Sequence, residues 1–163
     1  MLVVKWTLIV IFALVVSVIL AGQIGLLKGK APPDLGVKQG KLKGLSRTPN
    51  CVSSQAGLYP DHPQREFAST APLALRGDGT ATIAKLKTIV QSTANATLVE
   101  STPNYLYVHY ATSLMKYVDD VEFWFDPASN SIAVRSASRL GQSDFDANRK
   151  RIEAVRAALA TAP

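Results

Sequence analysis

The sequence predicts an α+β protein: an N-terminal transmembrane helix, then a two-layer domain with a four-stranded antiparallel sheet covered by two helices. Three observations carry that expectation. Leu2 to about Gly22 is almost wholly apolar. Apolar residues recur at helical spacing after Asp78 and again after Ser143. Between those two stretches lie short runs of β-branched and aromatic residues separated by turn signals.

From Met1 to Leu27 only Lys5, Thr7, Ser17 and Gln23 are markedly polar. A helix of roughly 20 such residues crosses the hydrocarbon layer, and Trp6 stands where interfacial aromatics are enriched. Residues 1–24 are therefore expected to form an uncleaved single-pass anchor, giving a membrane localisation. Lys5 and the apolar run also match the first two regions of a secretory signal. Ile19-Leu20-Ala21, however, puts a bulky residue at the third-last position of the cleavage site.

Residues 25–47 read as a basic Gly/Pro linker, with Gly25, Gly29, Gly36, Gly40, Gly44 and Pro32-Pro33. Of the net charge of +6, Lys5 supplies one and this segment the other five, because eleven basic and eleven acidic residues cancel from Thr48 onward. The folded part thus lacks the concentrated positive charge of a nucleic-acid binder. Lys28, Lys30, Lys38, Lys41, Lys43 and Arg47 instead suit anionic head groups. Membrane lipids, met through 1–24 and 28–47, are the expected partners, together with an envelope protein. The basic bias after the apolar run favours a cytoplasmic domain, whereas a short N-terminus with a single Lys also permits export. Both sides of the membrane stay open, and the single cysteine forms no internal disulfide.

Residues 48–163 are assigned to the α+β domain, opening with an irregular Cys-containing segment, 48–79, and continuing as a helix/sheet/helix core over 80–160. Asp78 or Thr80 caps a helix whose face is Ile83, Leu86, Ile89 and Val90. Ala94–Glu100 and Tyr105–Thr112 read as the first two strands, turned by Thr102-Pro103-Asn104. Val118–Phe125 and Ser131–Ser138 flank a turn at Pro127–Asn130. If Asp126 faces Ser131, then Phe125 faces Ile132, Phe123 faces Val134 and Val121 faces Ser136 on a core face. The opposite face pairs Glu122 with Arg135, with Asp120 and Trp124 beside them and Arg139 one diagonal away. Ser143 is the expected N-cap of a last helix with the stripe Phe145, Ile152, Val155 and Leu159.

The candidate chemistry is sparse. Cys51 as a nucleophile would need His62 or His109 as its base; the structural alternative is a packed or turn-bound cysteine. The Cys, His and Asp positions lack paired metal-ligand spacings, so neither a metal site nor a cofactor is expected. Arg135, Arg139, Arg149 and Arg151 with Asp120, Glu122 and Trp124 form the denser set. Guanidinium forks hold carboxylate or phosphate bidentately, which makes Arg135, Arg139, Arg149 and Asp120 the ligand-binding candidates. The alternative is an internal ladder of ion pairs.

Pro49-Asn50-Cys51-Val52-Ser53-Ser54, Val118–Phe123, Val134–Arg139 with Gly141, and Ser143-Asp144-Phe145 with Asn148-Arg149 and Arg151-Ile152-Glu153 together resemble the "domain of unknown function 1499" family. The resemblance runs from about 42 to 160 and implies a membrane-anchored or exported bacterial or plastid protein. It also implies a second cysteine six residues before Cys51, where this chain has Leu45, so a family disulfide or two-cysteine metal site does not carry over. The functional expectation is a non-catalytic binding or envelope-associated module. The alternative is a Cys-dependent hydrolase or transferase using Cys51 with His62 or His109.

Overall fold

A computed structural model describes residues 2–162; Met1 and Pro163, the outer limits of the expected anchor and domain, lie outside the described residues. The elements are α1 (Leu2–Gln23), β1 (Cys51–Ser53), α2 (Arg65–Ala68), α3 (Gly79–Ser92), β2 (Ala96–Thr102), β3 (Tyr105–Ala111), β4 (Val118–Asp126), β5 (Ser131–Ser138) and α4 (Ala147–Thr161). The strands form one antiparallel sheet in the order β1-β5-β4-β3-β2. It has five strands rather than the expected four. The extra one, β1, contains Cys51 and pairs along the β5 edge, Cys51 opposite Ala137 and Ser53 opposite Arg135. Three residues are too few to show an alternating pattern, and Pro49-Asn50 in front of them suggests a turn.

The β4–β5 hairpin has the expected register from Asp126↔Ser131 through Phe123↔Val134 to Val121↔Ser136. On that face Phe123, Val121, Val134, Ile132, Leu106 and Val108 are fully buried. They pack with Ile83, Leu86 and Val90 of α3 and Ile152, Val155 and Leu159 of α4. Helix α3 starts where Asp78 accepts a hydrogen bond from the Ala81 amide at 2.7 Å. Its first residue is Gly79 because the Phe125 ring occupies the space a Cβ would need.

Helix α4 starts later than the Ser143 cap implies. Asp144 takes over that end: its carboxylate accepts from the amides of Asp146 at 3.1 Å and Asn148 at 3.0 Å. The local turn sets Phe145 and Asp146 at positive φ, +51° and +65°. Phe145 is consequently 86% exposed rather than part of the apolar stripe.

The second face of the sheet is also covered, by chain without regular structure. Residues 34–44 cross it: the Gly36 amide donates to Glu122 at 2.7 Å, and Arg135 Nε donates to the Gly44 carbonyl at 3.2 Å. Leu42 packs with Tyr105, Tyr107, Trp124 and Ala133. The segment read from its composition as a linker is thus held on the sheet, and it is closed on itself by the Lys38–Lys41 backbone pair and the Lys43–Asp34 ion pair.

Helix α1 is long and apolar enough to cross a membrane. Its side chains are almost all exposed along its length, but its C-terminal end rests on the β3–β4 connection. Gly22 is buried there, and a Cβ on it would stand 2.7 Å from the Met115 carbonyl oxygen. Gln23 Nε2 donates to the Leu114 carbonyl at 2.7 Å.

Candidate functional site

The register of β3 on β4 sets Tyr105 opposite Trp124, Tyr107 opposite Glu122 and His109 opposite Asp120. Paired residues share a face, so these six side chains converge on the side crossed by residues 34–44. Arg139, just past β5, reaches the same point. Its Nη2 lies 2.7 Å from Asp120 Oδ1 and 2.6 Å from His109 Nε2, and its Nε lies 3.0 Å from Asp120 Oδ2. Tyr107 Oη is 2.6 Å from both Asp120 Oδ1 and His109 Nε2.

Proton accounting assigns the roles. A guanidinium nitrogen only donates, so His109 Nε2 accepts from Arg139 and the ring proton sits on Nδ1. The single Tyr107 hydroxyl proton then goes to Asp120. Burial and the Arg139 charge lower the His109 pKa and keep the ring neutral. Burial, reinforced by the bond to Asp120, raises that of Tyr107. The Arg139–Asp120 bonds raise the guanidinium pKa. Arg139 thus holds Asp120 and His109 Nε2 together, leaving the Tyr107 oxygen and Nε2 as neighbouring acceptors around its Nη2, and the most open member is His109, with 29% of its side chain exposed.

Two residues further along β4 lies a second, less complete group. Glu122 is fully buried and accepts at Oε1 from Gly36 N and from Tyr105 Oη at 2.8 Å. Its Oε2 and Arg135 Nη1, 3.8 Å apart, both lack a hydrogen-bond partner. Burial lifts the Glu122 pKa above its ordinary value and outweighs the opposing hydrogen bonds and the Arg135 charge. It likewise raises Tyr105.

Cys51 is 1% exposed, and its Sγ has one contact of hydrogen-bonding type, to the Val52 carbonyl at 3.8 Å. His62 turns back on its own loop, with Nδ1 accepting from the Gln64 amide at 3.1 Å. His109 is committed to Arg139 and Tyr107. The geometry therefore assembles no thiol–imidazole pair among the described residues. Cys51 is buried in a strand, not held in a turn.

The arginines divide between the two faces. Arg135 and Arg139 stand with Asp120 and Glu122, as pairing across the hairpin requires. Arg149 lies elsewhere: it donates to the carbonyls of Ser69, at 2.8 Å, and Phe67, with its guanidinium over the Phe67 ring. It fastens α4 to the segment after α2. Arg151 is on the helix side and reaches Asp119 at 2.6 Å and Asn148 Oδ1 at 2.6 Å, stacked 4.6 Å from the Tyr110 ring. Asp119 and Asp120 thus point to opposite faces, each to its own arginine.

Around Asn148, fully buried, a polar knot gathers most of the phrases that stand out in the sequence. Its Nδ2 donates to the Asn50 carbonyl and Ser138 Oγ, both at 3.0 Å, and to Asp144 at 2.7 Å, while its Oδ1 accepts from Ser136 at 2.5 Å. Pro49-Asn50-Cys51, Ser136–Ser138, Ser143-Asp144 and Asn148–Arg151 meet there to tie β1, β5 and α4 together. In that network the two Asn148 Nδ2 protons are shared among three acceptors, and the buried Asn50 Oδ1 is left without a partner among the described residues.

A cleft of about 490 Å³ opens where α1 meets the domain, walled by Leu27, Tyr117, Leu140 and Phe145 with Asp119 and Asp144 deeper in. Sequence reasoning missed it. Its apolar walls come from three connections that spacing arguments do not relate, and Phe145 had been counted into a helix. Among the described residues, no three His, Cys, Asp or Glu side chains converge as a metal site would require.

No curated protein matches the chain. The family model described as "protein of unknown function (DUF1499)" matches residues 41–159, from the end of the crossing segment through α4. That stretch contains the whole sheet, both covering helices, the Asn148 knot and the Tyr107–His109–Asp120–Arg139 cluster, and by it the chain belongs to the DUF1499 family.

Proposed function

We propose that this protein is a single-pass, membrane-anchored, non-catalytic module whose α+β domain binds an amphiphilic, lipid-class ligand at the bilayer surface. One observation carries the reading: the C-terminal end of α1 is built into the domain. Gly22 is packed against Met115, Gln23 is bonded to Leu114, and the chain passes straight on to Leu27 in the wall of the cleft. A segment removed during export has no use for contacts with the finished fold, so the junction supports an anchor that is kept. A pocket with mainly apolar walls and a few polar groups inside has the usual make-up of a small-molecule site.

The sealed state of Cys51 and the engagement of His109 Nε2 by Arg139 favour binding over thiol chemistry. Lys28 and Lys30, just beyond α1, would face the head groups, whereas Lys41 lies at the far end of the sheet beside Asp126 and Ser129; an envelope protein partner fits the same placement. The test is intact mass measurement of the full chain extracted from membranes, followed by native mass spectrometry of the gently released protein. The expected result is the full-length mass with lipid retained on the folded domain. A mass lacking the first two dozen residues, or a full-length protein that retains no lipid, overturns the reading.

A further inference from the structure

We infer that the end of the domain around the α1 junction is a bilayer-docking surface, seated in the interfacial layer of an anionic membrane rather than hanging free of it. The inference rests on the anchor reading above and names the surface that meets the lipid.

Large apolar residues gather at this end of the sheet. Leu114, at 57% exposure, and Tyr117 come from the β3–β4 connection; Leu140, at 44%, and Phe145 come from the β5–α4 connection. Ile24 and Leu26 are exposed in the turn that follows α1. The connections at the opposite end, 103–104 and 127–130, expose Pro, Asn, Ala and Ser instead. Exposed apolar side chains are therefore denser at the pole from which a hydrophobic helix departs, the far end having Leu58 and Val37 beside its polar turns. Exposed apolar clusters of this kind mark contact surfaces.

Phe145 is set outward by the Asp144 turn that starts α4, in a place where a small or polar residue would serve the turn better. It holds a left-handed backbone conformation that a bulky side chain adopts at a cost, and its ring gains almost no burial in return. Strain without packing is a pointer to function. An aromatic ring held out beside a membrane helix suits the interface, where amphipathic and aromatic side chains are favoured.

Charge agrees with apolar placement on one side of this pole. Lys28 and Lys30 are exposed just beyond α1, and Lys116 lies in the β3–β4 connection between Leu114 and Tyr117. The three lysines lie on the α1 and β3–β4 side of the apolar residues, while Asp144 and Asp146 flank Phe145, so attraction to anionic head groups would act through the lysine side of this pole. The buried junction at Gly22 and Gln23 restricts how far the domain can swing from the helix axis, which keeps this pole against the bilayer.

The experiment uses the full chain reconstituted in vesicles of phosphatidylcholine and phosphatidylglycerol. Phe145→Cys, Leu140→Cys and, at the opposite pole, Ala128→Cys each receive an environment-sensitive fluorophore; the buried Cys51 stays unreactive, and the unsubstituted chain reports any background. Lipids with a quencher near the head of the acyl chain should quench the labels at 145 and 140 severalfold more than the label at 128. Equal quenching at all three positions in a protein of full-length mass overturns the docking surface and leaves the anchor standing. A truncated mass removes the anchor reading, and the docking surface falls with it. Positions 140 and 145 share the β5–α4 connection and 128 lies on the β4–β5 turn, so two labels report the docking end and misfolding of one of them leaves the other to compare with 128.

Discussion

The two faces of the sheet are equally closed to water but are closed by different physics. Under α3 and α4 lie Phe123, Val121, Val134, Leu106 and Ile132, which gain from burial alone at about 25 cal/mol per Å² of apolar surface. Under residues 34–44 lie Glu122, Arg135, Tyr105 and Trp124, whose polar atoms have left water and need partners. The helix side forgives approximate partners because dispersion is non-directional. The other side depends on particular atoms, such as the Gly36 amide and the Gly44 carbonyl. Stability is expected to come from the first face and positional precision from the second.

The largest effect should come from the helix side. Phe123→Ala removes a fully buried ring between β4 and the two covering helices and should cost about 3–5 kcal/mol. Denaturant unfolding of the full chain in detergent measures it; a loss under 1 kcal/mol would mean that the ring is not in the core.

Arg135→Met comes next and tests the second face directly. On an exposed ladder such a change costs at most about 1 kcal/mol. With Glu122 fully buried, loss of its cation should cost about 3 kcal/mol. The double variant Glu122→Gln/Arg135→Met keeps an acceptor for Gly36 and Tyr105 while removing both charges, so it should recover much of that loss. Additive losses from the two substitutions would show that the pair is not coupled.

Smaller again is Gly36→Ala. A Cβ at Gly36 meets no atom within 4 Å, so crowding predicts no penalty. Its φ of +89°, however, lies in the left-handed range, where a side chain costs roughly 1–2 kcal/mol. That cost is felt only if the bond from the Gly36 amide to Glu122 holds the backbone in place. The expected result is a modest but measurable drop in Tm with faster hydrogen exchange across 34–44. No change would mean that this segment behaves as a free tether.

The difference between the faces also decides what could be read in advance. The hairpin register was legible from Val121, Phe123 and Phe125 alternating against Ile132 and Val134, because a one-residue slip would expose all of them. The pairing of Asp120 with Arg139 followed from the same register. What hid the burial of Glu122 and Arg135 is that their cover has no periodicity. Gly- and Lys-rich chain looks the same in sequence whether it is solvated or lies on a sheet. The Tyr107–His109 half of the cluster was visible only as alternation on a strand; joining it to Asp120 needed the β3–β4 register, set across a connection of irregular sequence. Phe145 was misread because its spacing to Ile152 is helical while Asp144 seizes the amides that would start the helix.

The smallest expected effect lies in the response to acid, where the second face contains two groups of opposite sign. The Glu122 pKa is raised by burial, so its contribution to stability is fully present below the usual carboxylate range and is lost as pH rises through the folded value. The His109 pKa is lowered by burial and Arg139, so its contribution is present above the ordinary histidine value of 6.5 and is lost as pH falls through the folded value. Between neutrality and the carboxylate range the two contributions oppose each other, so the imidazole's part is read as the difference between the native sequence and a variant without it. A proton arriving on Nε2 would confront Arg139 Nη2 at 2.6 Å, with Asp120 already engaged by that guanidinium and by Tyr107. Unfolding free energy of the native sequence should therefore decline relative to that variant on acidification below about pH 6.5, with the part-exposed ring limiting the size of the decline. His109→Gln retains an acceptor for Arg139 but does not titrate, so it lacks the imidazole's part over the same interval. Equal slopes for the two proteins would assign the acid response to another group and would show that His109 is not held neutral by this cluster.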